Sequence, residues 1–297
     1  MGVVVNFSAE LGVWISHNLD RGCAVDDLVN SMIDQSFEPV MARSLVDAFW
    51  RARAEGSEPP IDSVVLDLAA TETLAEYQYE PPRLASGPII HTTDRDIPVL
   101  LRMEQPILAV LDGVLSSDEC AQLIELARSR LRPSTIVDPV TGEDRIVDHR
   151  DSEGMFFAVR ETPFIAMLDE RISALMNCPV ENGEGLQLLR YGPGAKNTPH
   201  FDFLVPSNPA NRQSIARSGQ RISSLVIYLN NVASGGETVF PEIGLAVQPK
   251  KGNAVYFEYA NSLRQVDQKS VHAGAAVHVG EKWIVTKWMR ERRFVPA

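Results

Sequence analysis

The 297-residue sequence predicts an α+β fold, with helices towards its N-terminus and short strands in its second half. Over the first 55 or so residues, apolar side chains recur at the spacing of amphipathic helices. From Gly185 onward, short β-type runs alternate with Gly and Pro. Closely spaced short strands indicate a β-sandwich or barrel rather than a parallel sheet. A chain of this length forms one large domain, or one large and one small domain.

Composition excludes several classes of function. The sequence holds 28 Lys and Arg against 39 Asp and Glu, a formal net charge of −11, so we expect neither nucleic acid nor an anionic membrane as a partner. Cys23, Cys120 and Cys178 are odd in number and far apart, which argues against a disulfide framework or a zinc site. Because no secretory signal pattern or long apolar run occurs, we expect a cytoplasmic protein.

Residues 1–55 are predicted to form a small three-helix bundle. Ser8 is placed to cap a first helix, and a second helix is expected from about Asp26. Pro39, which suits a first helical turn, begins a third helix that ends before Gly56. The apolar residues of these segments fall at helical spacing, so the helices can bury a shared face.

Residues 56–95 are predicted to connect this bundle to a C-terminal domain that spans 96–297. Pro and Glu are frequent in the connecting segment, which favours an irregular chain. Apolar residues nevertheless occur in 63–68 and 74–79, and such residues are unfavourable in an exposed tether. We therefore expect both stretches to pack on the C-terminal domain.

The C-terminal domain is predicted to begin with apolar strands, to continue with two helices and to end in a run of strands. Ser116 and Glu119 form a capping-box pattern before the first helix, which runs to about Arg130. The second helix covers about 163–176. The strands expected after Gly185 are 186–191, 223–230, 245–249, 254–257, 275–279 and 283–288.

Two histidines and an aspartate form a candidate metal site. In His200-Phe201-Asp202, positions i and i+2 of a strand would project an imidazole and a carboxylate to the same face. His272 lies in a second β-type context further along the chain. Two His and one carboxylate can hold Fe(II) on one face of an octahedron and leave three positions open. Because His-x-Asp also occurs by chance, a surface polar pair is the alternative.

Lys282 is the second chemical signal. It precedes an otherwise apolar strand that contains Trp283, Val285 and Trp288. An ammonium group on such a strand is unfavourable unless it meets an anion, and a dicarboxylate cosubstrate would provide one. The pattern therefore predicts a carboxylate-bearing cosubstrate near the metal triad.

Short motifs around these residues follow one another in a consistent order. They are Glu184-Gly185-Leu186-Gln187, Arg190-Tyr191, Pro199-His200-Phe201-Asp202, Gly235-Gly236-Glu237-Thr238, His272-Ala273-Gly274 and Gly280-Glu281-Lys282-Trp283. In this order they resemble the prolyl 4-hydroxylase family of Fe(II)/2-oxoglutarate dioxygenases. The resemblance extends from near Pro98 to the end, about two thirds of the chain, and leaves the first 85 residues outside it.

The resemblance implies a fold, a metal and a reaction. The fold would be a double-stranded β-helix of the jelly-roll, cupin-like type over about residues 185–293, with flanking helices. His200, Asp202 and His272 would be the Fe(II) ligands. The reaction would be a hydroxylation that inserts one oxygen atom of O2 into an unactivated C–H bond and releases succinate and CO2, with ascorbate as a candidate reductant. A non-catalytic jelly-roll binding module is the alternative from a different class.

The resemblance also implies the residues that bind the cosubstrate, 2-oxoglutarate. Lys282 would pair with its distal carboxylate. The hydroxyl groups of Tyr191 and Ser224 stand where the family places groups that support this carboxylate. Ser224 replaces the more usual Thr, which keeps the hydroxyl donor and loses only a methyl group.

Three residues are candidates for the substrate side of the site. Arg150 and Trp288 match family positions that line it, and the alternatives are a structural ion pair for Arg150 and core packing for Trp288. Asn197 stands where collagen-type and plant-type members often have Tyr near the substrate proline. This departure puts peptidyl proline in doubt, and a free amino acid or a natural-product intermediate is the alternative substrate.

Residues 204–220 are rich in Pro, Asn, Ser and Arg, a composition that suits a mobile lid over the metal. The segment carries Arg212 and Arg217 in an otherwise acidic protein. These two residues suggest an anionic group on the substrate, and a solvated loop is the alternative.

Overall fold

The computed structural model describes residues 2–35, 37–67, 77–133, 135–137, 144–146, 152–206 and 209–296. It has a mixed α/β architecture with large antiparallel sheets, in agreement with the predicted fold class. No helix in these ranges is long and apolar enough to cross a membrane.

The N-terminal part combines helices with a two-stranded sheet. Its elements are β1 (Gly2–Asn6), α1 (Ala9–Asp20), α2 (Val25–Asp34), α3 (Pro39–Glu55) and β2 (Ser63–Asp67). The Ser8 hydroxyl accepts the Leu11 N–H and caps α1, and α3 ends at Gly56, whose φ of 67° favours glycine. β1 pairs antiparallel with β2. The prediction of helices alone was therefore wrong, because it overlooked the strand propensity of the valines in both segments.

The predicted connecting segment divides between the two parts of the molecule. β2 belongs with the N-terminal part through its pairing with β1. Further along, the Tyr79 hydroxyl donates to Asp267 at 2.9 Å, and Arg83 forms an ion pair with Glu258 at 2.7 Å. The stretch that begins at residue 77 thus packs on the C-terminal domain, whereas 63–67 pairs with strand β1 of the N-terminal part. Residues 68–76 lie outside the described ranges.

The C-terminal domain contains most of the strands and three longer helices of the described chain. In order, its elements are β3 (Ile89–His91), β4 (Asp96–Glu104), β5 (Ile107–Leu111), α4 (Ser117–Arg128), β6 (Arg132–Pro133), β7 (Thr135–Val137), β8 (Asp144–Ile146), β9 (Ser152–Phe157), α5 (Pro163–Met176), β10 (Leu186–Tyr191), β11 (Asn197–His200), α6 (Pro209–Ser218), β12 (Arg221–Tyr228), β13 (Ser234–Gly235), β14 (Thr238–Phe240), β15 (Leu245–Val247), β16 (Ala254–Glu258), β17 (His272–Gly274), β18 (Val277–Val279) and β19 (Lys282–Arg290). Short 3-10 turns occur at Val180–Asn182, Pro241–Ile243 and Gln268–Ser270.

Two antiparallel sheets form the β-structure around the site. Nine strands pair in the order β3-β4-β5-β16-β12-β19-β10-β9-β6, and four pair in the order β11-β17-β14-β15. Shorter pairs join β13 to β18 and β7 to β8. The capping box predicted at Ser116 and Glu119 is confirmed at the start of α4.

Strand β19 lies inside the large sheet, between β12 and β10, and all its residues are buried. Successive side chains of a strand point to opposite faces. On one face, Lys287 forms a fully buried ion pair of 2.7 Å with Asp169 of α5. Arg171, also on α5, binds Glu119 of α4 at 2.6 Å. Helices therefore cover this face of the sheet, and the opposite face, which carries Lys282, is left to line a cavity.

Candidate metal centre and its cavity

His200, Asp202 and His272 come together as predicted. His200 ends β11, His272 begins β17, and the two residues are directly opposite in the antiparallel pair. The Nε2 atoms of His200 and His272 lie 3.7 Å from Oδ1 and Oδ2 of Asp202, respectively. One ligand atom from each residue lies within 4.8 Å of the others. The sequence predicted that alternation along one strand would bring His200 and Asp202 to the same face. Strand β11 ends at His200, however, and Asp202 is positioned by the bend that follows the strand.

Backbone carbonyls orient both imidazoles for metal binding. Nδ1 of His200 is 2.8 Å from the carbonyl oxygen of Thr198, and Nδ1 of His272 is 3.1 Å from that of Ser270. A carbonyl oxygen only accepts, so each Nδ1 carries a proton, and each Nε2 faces Asp202, where it can serve as a metal ligand. Two imidazole nitrogens and one carboxylate fit a divalent transition metal such as Fe(II).

Hydroxyl groups hold the Asp202 carboxylate. Burial alone would raise the pKa of Asp202, but His272, His200, Arg221 and the Ser224 hydrogen bond lower it to about 2. The ionised carboxylate only accepts, so Ser224 donates to Oδ2 at 2.6 Å. Ser224 has no second proton, and the Tyr259 hydroxyl, 3.1 Å away, therefore donates to it.

This arrangement corrects the predicted role of Ser224. Its hydroxyl binds the carboxylate of a candidate metal ligand and does not line the cavity beside Lys282. In the sheet, Ser224 is opposite Trp288, whereas Tyr228, four residues along the same strand, is opposite Ile284 near Lys282. Four residues of strand span about 13 Å, so Ser224 cannot reach the Lys282 end.

Arg221 supports the backbone of the site. It binds Glu184 through two nitrogen atoms at 2.7 and 2.8 Å and donates to the carbonyl oxygen of Asp202 at 3.2 Å. Its guanidinium carbon lies 4.0 Å from the ring centroid of Trp288. Arg221 is therefore bound to groups of the protein itself. The same holds for Arg190, which binds Glu153 and Glu281.

A cavity of about 500 Å³, counted with its open mouth, extends from the triad into the space between the sheets. One face of β10 and one face of β19 form much of its wall. Alternation along each strand brings Gln187, Leu189 and Tyr191 to the cavity from β10, and Lys282, Ile284, Thr286 and Trp288 from β19. His200 is at the more exposed side, with 27% of its side chain accessible.

Lys282 places an ammonium group in this cavity without a partner. The residue is 4% exposed, and its Nζ atom lies 5.7 and 5.8 Å from the ring centroids of Tyr191 and Tyr228. Burial lowers the pKa of Lys282 to about 8, opposed only by the charge of Glu237. Among the described residues, no carboxylate lies within ion-pair distance of this group. The cavity thus has a cation at one end and three candidate metal ligands at the other.

Tyr228 and Thr238 are residues of this cavity region that the sequence analysis missed. The Tyr228 hydroxyl donates to the Thr238 hydroxyl at 2.8 Å, and burial raises the pKa of Tyr228, so the phenol stays protonated. The signal was present in the alternation of β12, because Ser224, Val226 and Tyr228 share one face of that strand.

The predicted substrate-side residues have different positions. Asn197 lines the cavity, with its Nδ2 atom 3.4 Å from Nε2 of His200, and Trp288 also lines it. Arg212 donates to the carbonyl oxygen of Pro206, and Arg217 is exposed on α6. Neither arginine is part of the cavity wall. Arg150 lies outside the described residues.

The segment predicted to be a mobile lid contains a helix that is attached to the sheet. Arg290 donates to the carbonyl oxygen of Ser214 at 3.0 Å, and Arg292 donates to that of Ala216 at 2.9 Å. These bonds satisfy carbonyl groups in the last turns of α6, where cations are favourable. The described part of 204–220 is thus helical and anchored at the end of β19, and its movement as a lid stays a prediction.

The chain has clear relatives among known proteins. Residues 186–290 match the family model of the 2OG-Fe(II) oxygenase superfamily. The chain is 36% identical over 211 residues to prolyl 4-hydroxylase 2 of Arabidopsis thaliana, a match that covers 64% of this chain and 69% of the relative. It is 39% identical over 202 residues to prolyl 4-hydroxylase 1 of the same organism, covering 63% of this chain and 70% of the relative.

Further relatives match a similar share of the chain. Prolyl 4-hydroxylase subunit alpha-1 of Homo sapiens is 35% identical over 189 residues, which cover 64% of this chain and 35% of that subunit. The crystal structure of the viral collagen prolyl hydroxylase from Paramecium Bursaria Chlorella virus-1, in its 2OG complex, is 28% identical. It aligns with a TM-score of 0.48 over 62% of this chain and 95% of that chain.

Proposed function

The chain belongs to the prolyl 4-hydroxylase-like 2-oxoglutarate- and Fe(II)-dependent oxygenases, and from this premise we propose that it hydroxylates an unactivated C–H bond of an organic substrate. It is a 2-oxoglutarate-dependent dioxygenase that uses Fe(II), 2-oxoglutarate and O2. The proposed products of the cosubstrate are succinate and CO2. The observation that carries the proposal is the unpaired, buried Lys282 ammonium in the cavity that the His-Asp-His triad borders.

His200, Asp202 and His272 would hold the metal, with Nε2 of each histidine and one oxygen of Asp202 as ligands. Fe(II), when bound, supplies the activation of O2 and the oxidising power for C–H cleavage. Ser224 donates to Oδ2 of Asp202 and thereby leaves Oδ1 as the more available ligand. A single carboxylate oxygen and two imidazoles leave room for a chelating cosubstrate and for O2.

Lys282 would bind the distal carboxylate of the cosubstrate. Its ammonium lies between the rings of Tyr191 and Tyr228, where few water molecules compete for it. The Tyr228 hydroxyl donates to the Thr238 hydroxyl, and Thr238 lines the same cavity as Lys282. The apolar side chains of Leu189, Val226 and Ile284 exclude water from the middle of the cavity. The cosubstrate is thus held at both ends, with its keto-acid end directed to the metal.

The primary substrate has two candidate classes. Peptidyl proline is the first, because the relatives named above are prolyl 4-hydroxylases. A free amino acid or a natural-product intermediate is the second, because Asn197 occupies the cavity wall where several family members have Tyr. The shorter amide side chain leaves more room near His200 and removes an aromatic surface on which a proline ring could rest.

Substrate-dependent succinate release tests the proposed function. The full chain is supplied with Fe(II), 2-oxoglutarate, ascorbate and O2, and proline-containing peptides and free amino acids are screened for added oxygen by mass spectrometry. We expect one substrate class to raise succinate release and to gain one oxygen atom. Asp202→Ala should abolish both signals, and Lys251→Met, at an exposed lysine, should leave them unchanged. Cosubstrate binding without any succinate release would instead indicate a non-catalytic binding module.

A further inference from the structure

The two candidate histidine ligands lie on strands with unequal support. β17, which begins with His272, is bounded by β11 on one side and by β14 on the other. β11, which ends with His200, is the outermost strand of the same sheet. Its pairing with β17 is also irregular, because the register shifts between Asn197 and His200. The position of His200 therefore depends more than that of His272 on contacts from outside this sheet.

The N-terminal part supplies such a contact. Cα atoms of β1 come within 8 Å of Cα atoms of β11, although the two strands belong to different sheets. Sheets that pack face to face are about 10 Å apart, so strands at this shorter distance are in direct contact. β1 lies outside residues 186–290, which match the superfamily, and the contact is therefore a feature of this chain beyond the matched region.

β1 is in turn fixed to a helix of the N-terminal part. It pairs along its whole length with β2, and the two strands are called the β1–β2 ribbon below. Val5 and its direct partner Val64 are each 6% exposed and share the buried face of the ribbon. Phe7, which follows β1, is buried against Phe49 of α3, with the ring centroids 5.4 Å apart. The ribbon thus connects α3 to β11 by packing.

We propose that the β1–β2 ribbon positions His200 for metal binding by holding β11 in place. The inference rests on the proposed function, because it takes His200 as a metal ligand. Val5 is a positioning residue in this arrangement, since it acts through β1 and β11. A coupling between two parts of a protein is reciprocal, so a bound metal must stabilise the ribbon by the same factor by which the ribbon favours the metal.

The nature of the contact sets the size of this coupling. The residues of β11 are Asn197, Thr198, Pro199 and His200, and none of them is buried. The contact with β1 therefore removes little apolar surface from water and affects mainly the geometry of β11. We expect an effect on metal affinity of about threefold to tenfold, within the range by which residues remote from a ligand modulate its binding.

The test compares Val5→Ala with Val29→Ala in the full chain by titration with Mn(II) alone. Val29 is a matched control, because it is 4% exposed on α2 of the same N-terminal part and its replacement removes the same two methyl groups. The titration is made at a temperature at which far-UV circular dichroism shows both variants to be folded. Absorption bands of bound Co(II) report the arrangement of the ligands in each variant.

We expect Val5→Ala to weaken Mn(II) binding by about threefold to tenfold and to change the Co(II) bands, because β1 packs less firmly and His200 is less well positioned. Val29→Ala should lower the stability of the N-terminal part by a similar amount and should bind both metals as the parent does. Equal Mn(II) affinities of the two variants would overturn the proposal, because a difference in local stability alone would then account for the data.

Hydrogen exchange of the parent provides a measurement that needs no variant. Saturating Mn(II) should slow amide exchange in β1 and β2 by about the same threefold to tenfold, although neither strand holds a candidate ligand. Unchanged exchange in the ribbon would overturn the proposal.

The metal titrations separate this proposal from the proposed function. A parent that binds no Mn(II) would contradict both. The expected loss in Val5→Ala, without turnover of any substrate by the parent, would support the positioning of His200 and contradict the hydroxylase. Hydroxylation by the parent, with parental Mn(II) affinity in Val5→Ala, would support the hydroxylase and overturn the positioning role of the ribbon.

Discussion

The replacement Lys282→Met should stabilise the protein and weaken its affinity for 2-oxoglutarate. Burial lowers the pKa of Lys282 to about 8, and this depression costs the folded protein about 3 kcal/mol at neutral pH. This destabilisation has its full value below pH 8, where the lysine is protonated in both the folded and the unfolded protein. It fades as the pH rises towards the ordinary lysine value, because the unfolded chain then loses the proton too. Methionine has a similar shape and no charge, so it removes the cost.

The same replacement should stabilise the protein but weaken its binding of the cosubstrate. A carboxylate that enters the cavity without its ammonium partner is a buried charge left unpaired, which costs about 3–5 kcal/mol. This corresponds to a loss of affinity of about 150- to 5,000-fold. Thermal unfolding with Mn(II), which avoids turnover, measures both effects in one assay. The parent should gain Tm when 2-oxoglutarate is added, whereas Lys282→Met should start higher and gain little.

Lys251→Met is the matched control, because Lys251 is exposed and does not line the cavity. It should have the Tm of the parent and the same response to 2-oxoglutarate. A variant Lys282→Met with parental affinity for 2-oxoglutarate would show that another group binds the distal carboxylate. A lower Tm of the apoprotein would contradict the reasoning that the lysine is unpaired in the fold.

Three further outcomes follow from the same contacts. Ser224→Ala should weaken Mn(II) binding by about 10- to 100-fold in a metal titration, because Asp202 loses its orienting hydrogen bond, and Ser224→Thr should restore it. The affinity for 2-oxoglutarate should fall by about tenfold per pH unit above pH 8, as Lys282 loses its proton in the free enzyme, in a calorimetric series from neutral pH upward. Arg83→Met should destabilise the chain by about 2–3 kcal/mol in denaturant unfolding, because buried Glu258 loses its partner while Arg83 itself is partly exposed.

Each of these outcomes has a clear counter-result. Equal metal affinity in the alanine and threonine variants would show that the hydroxyl does not orient the carboxylate. A pH-independent affinity in the parent would place the lysine pKa outside the titrated range. If Arg83→Met unfolds at the same denaturant concentration as the parent, the stretch that begins at residue 77 does not contribute to stability by packing on the C-terminal domain.

The sequence was sufficient for the triad and for the strands that form the centre of the fold. Apolar runs predicted β10, β16 and β19 close to their observed bounds. The pairing of β16 with β5 could not be predicted, because it joins segments more than a hundred residues apart, and local patterns contain no information on such neighbours. The short strands β1 and β2 were missed although their valines favour strands, and neither strand is stable without the other.

Ser224 illustrates why a residue's role was harder to predict than its location. Alternation assigns it to the correct face of β12, but its position along the cavity depends on register with β19. That register places Ser224 opposite Trp288 and leaves the Lys282 end to Tyr228. A motif defines residue types and order, whereas the depth at which each hydroxyl lies is fixed only by the paired strands.

Oxygen-isotope labelling tests the central claim most directly. The full chain is incubated with Fe(II), 2-oxoglutarate and the substrate found by screening under ¹⁸O2, and both products are analysed by mass spectrometry. Coupled oxidation predicts one labelled oxygen atom in the hydroxylated substrate and one in succinate, with both labels absent from Asp202→Ala. Succinate without label, or labelled products from Asp202→Ala, would contradict the assignment of the triad and its cavity as the site of the reaction.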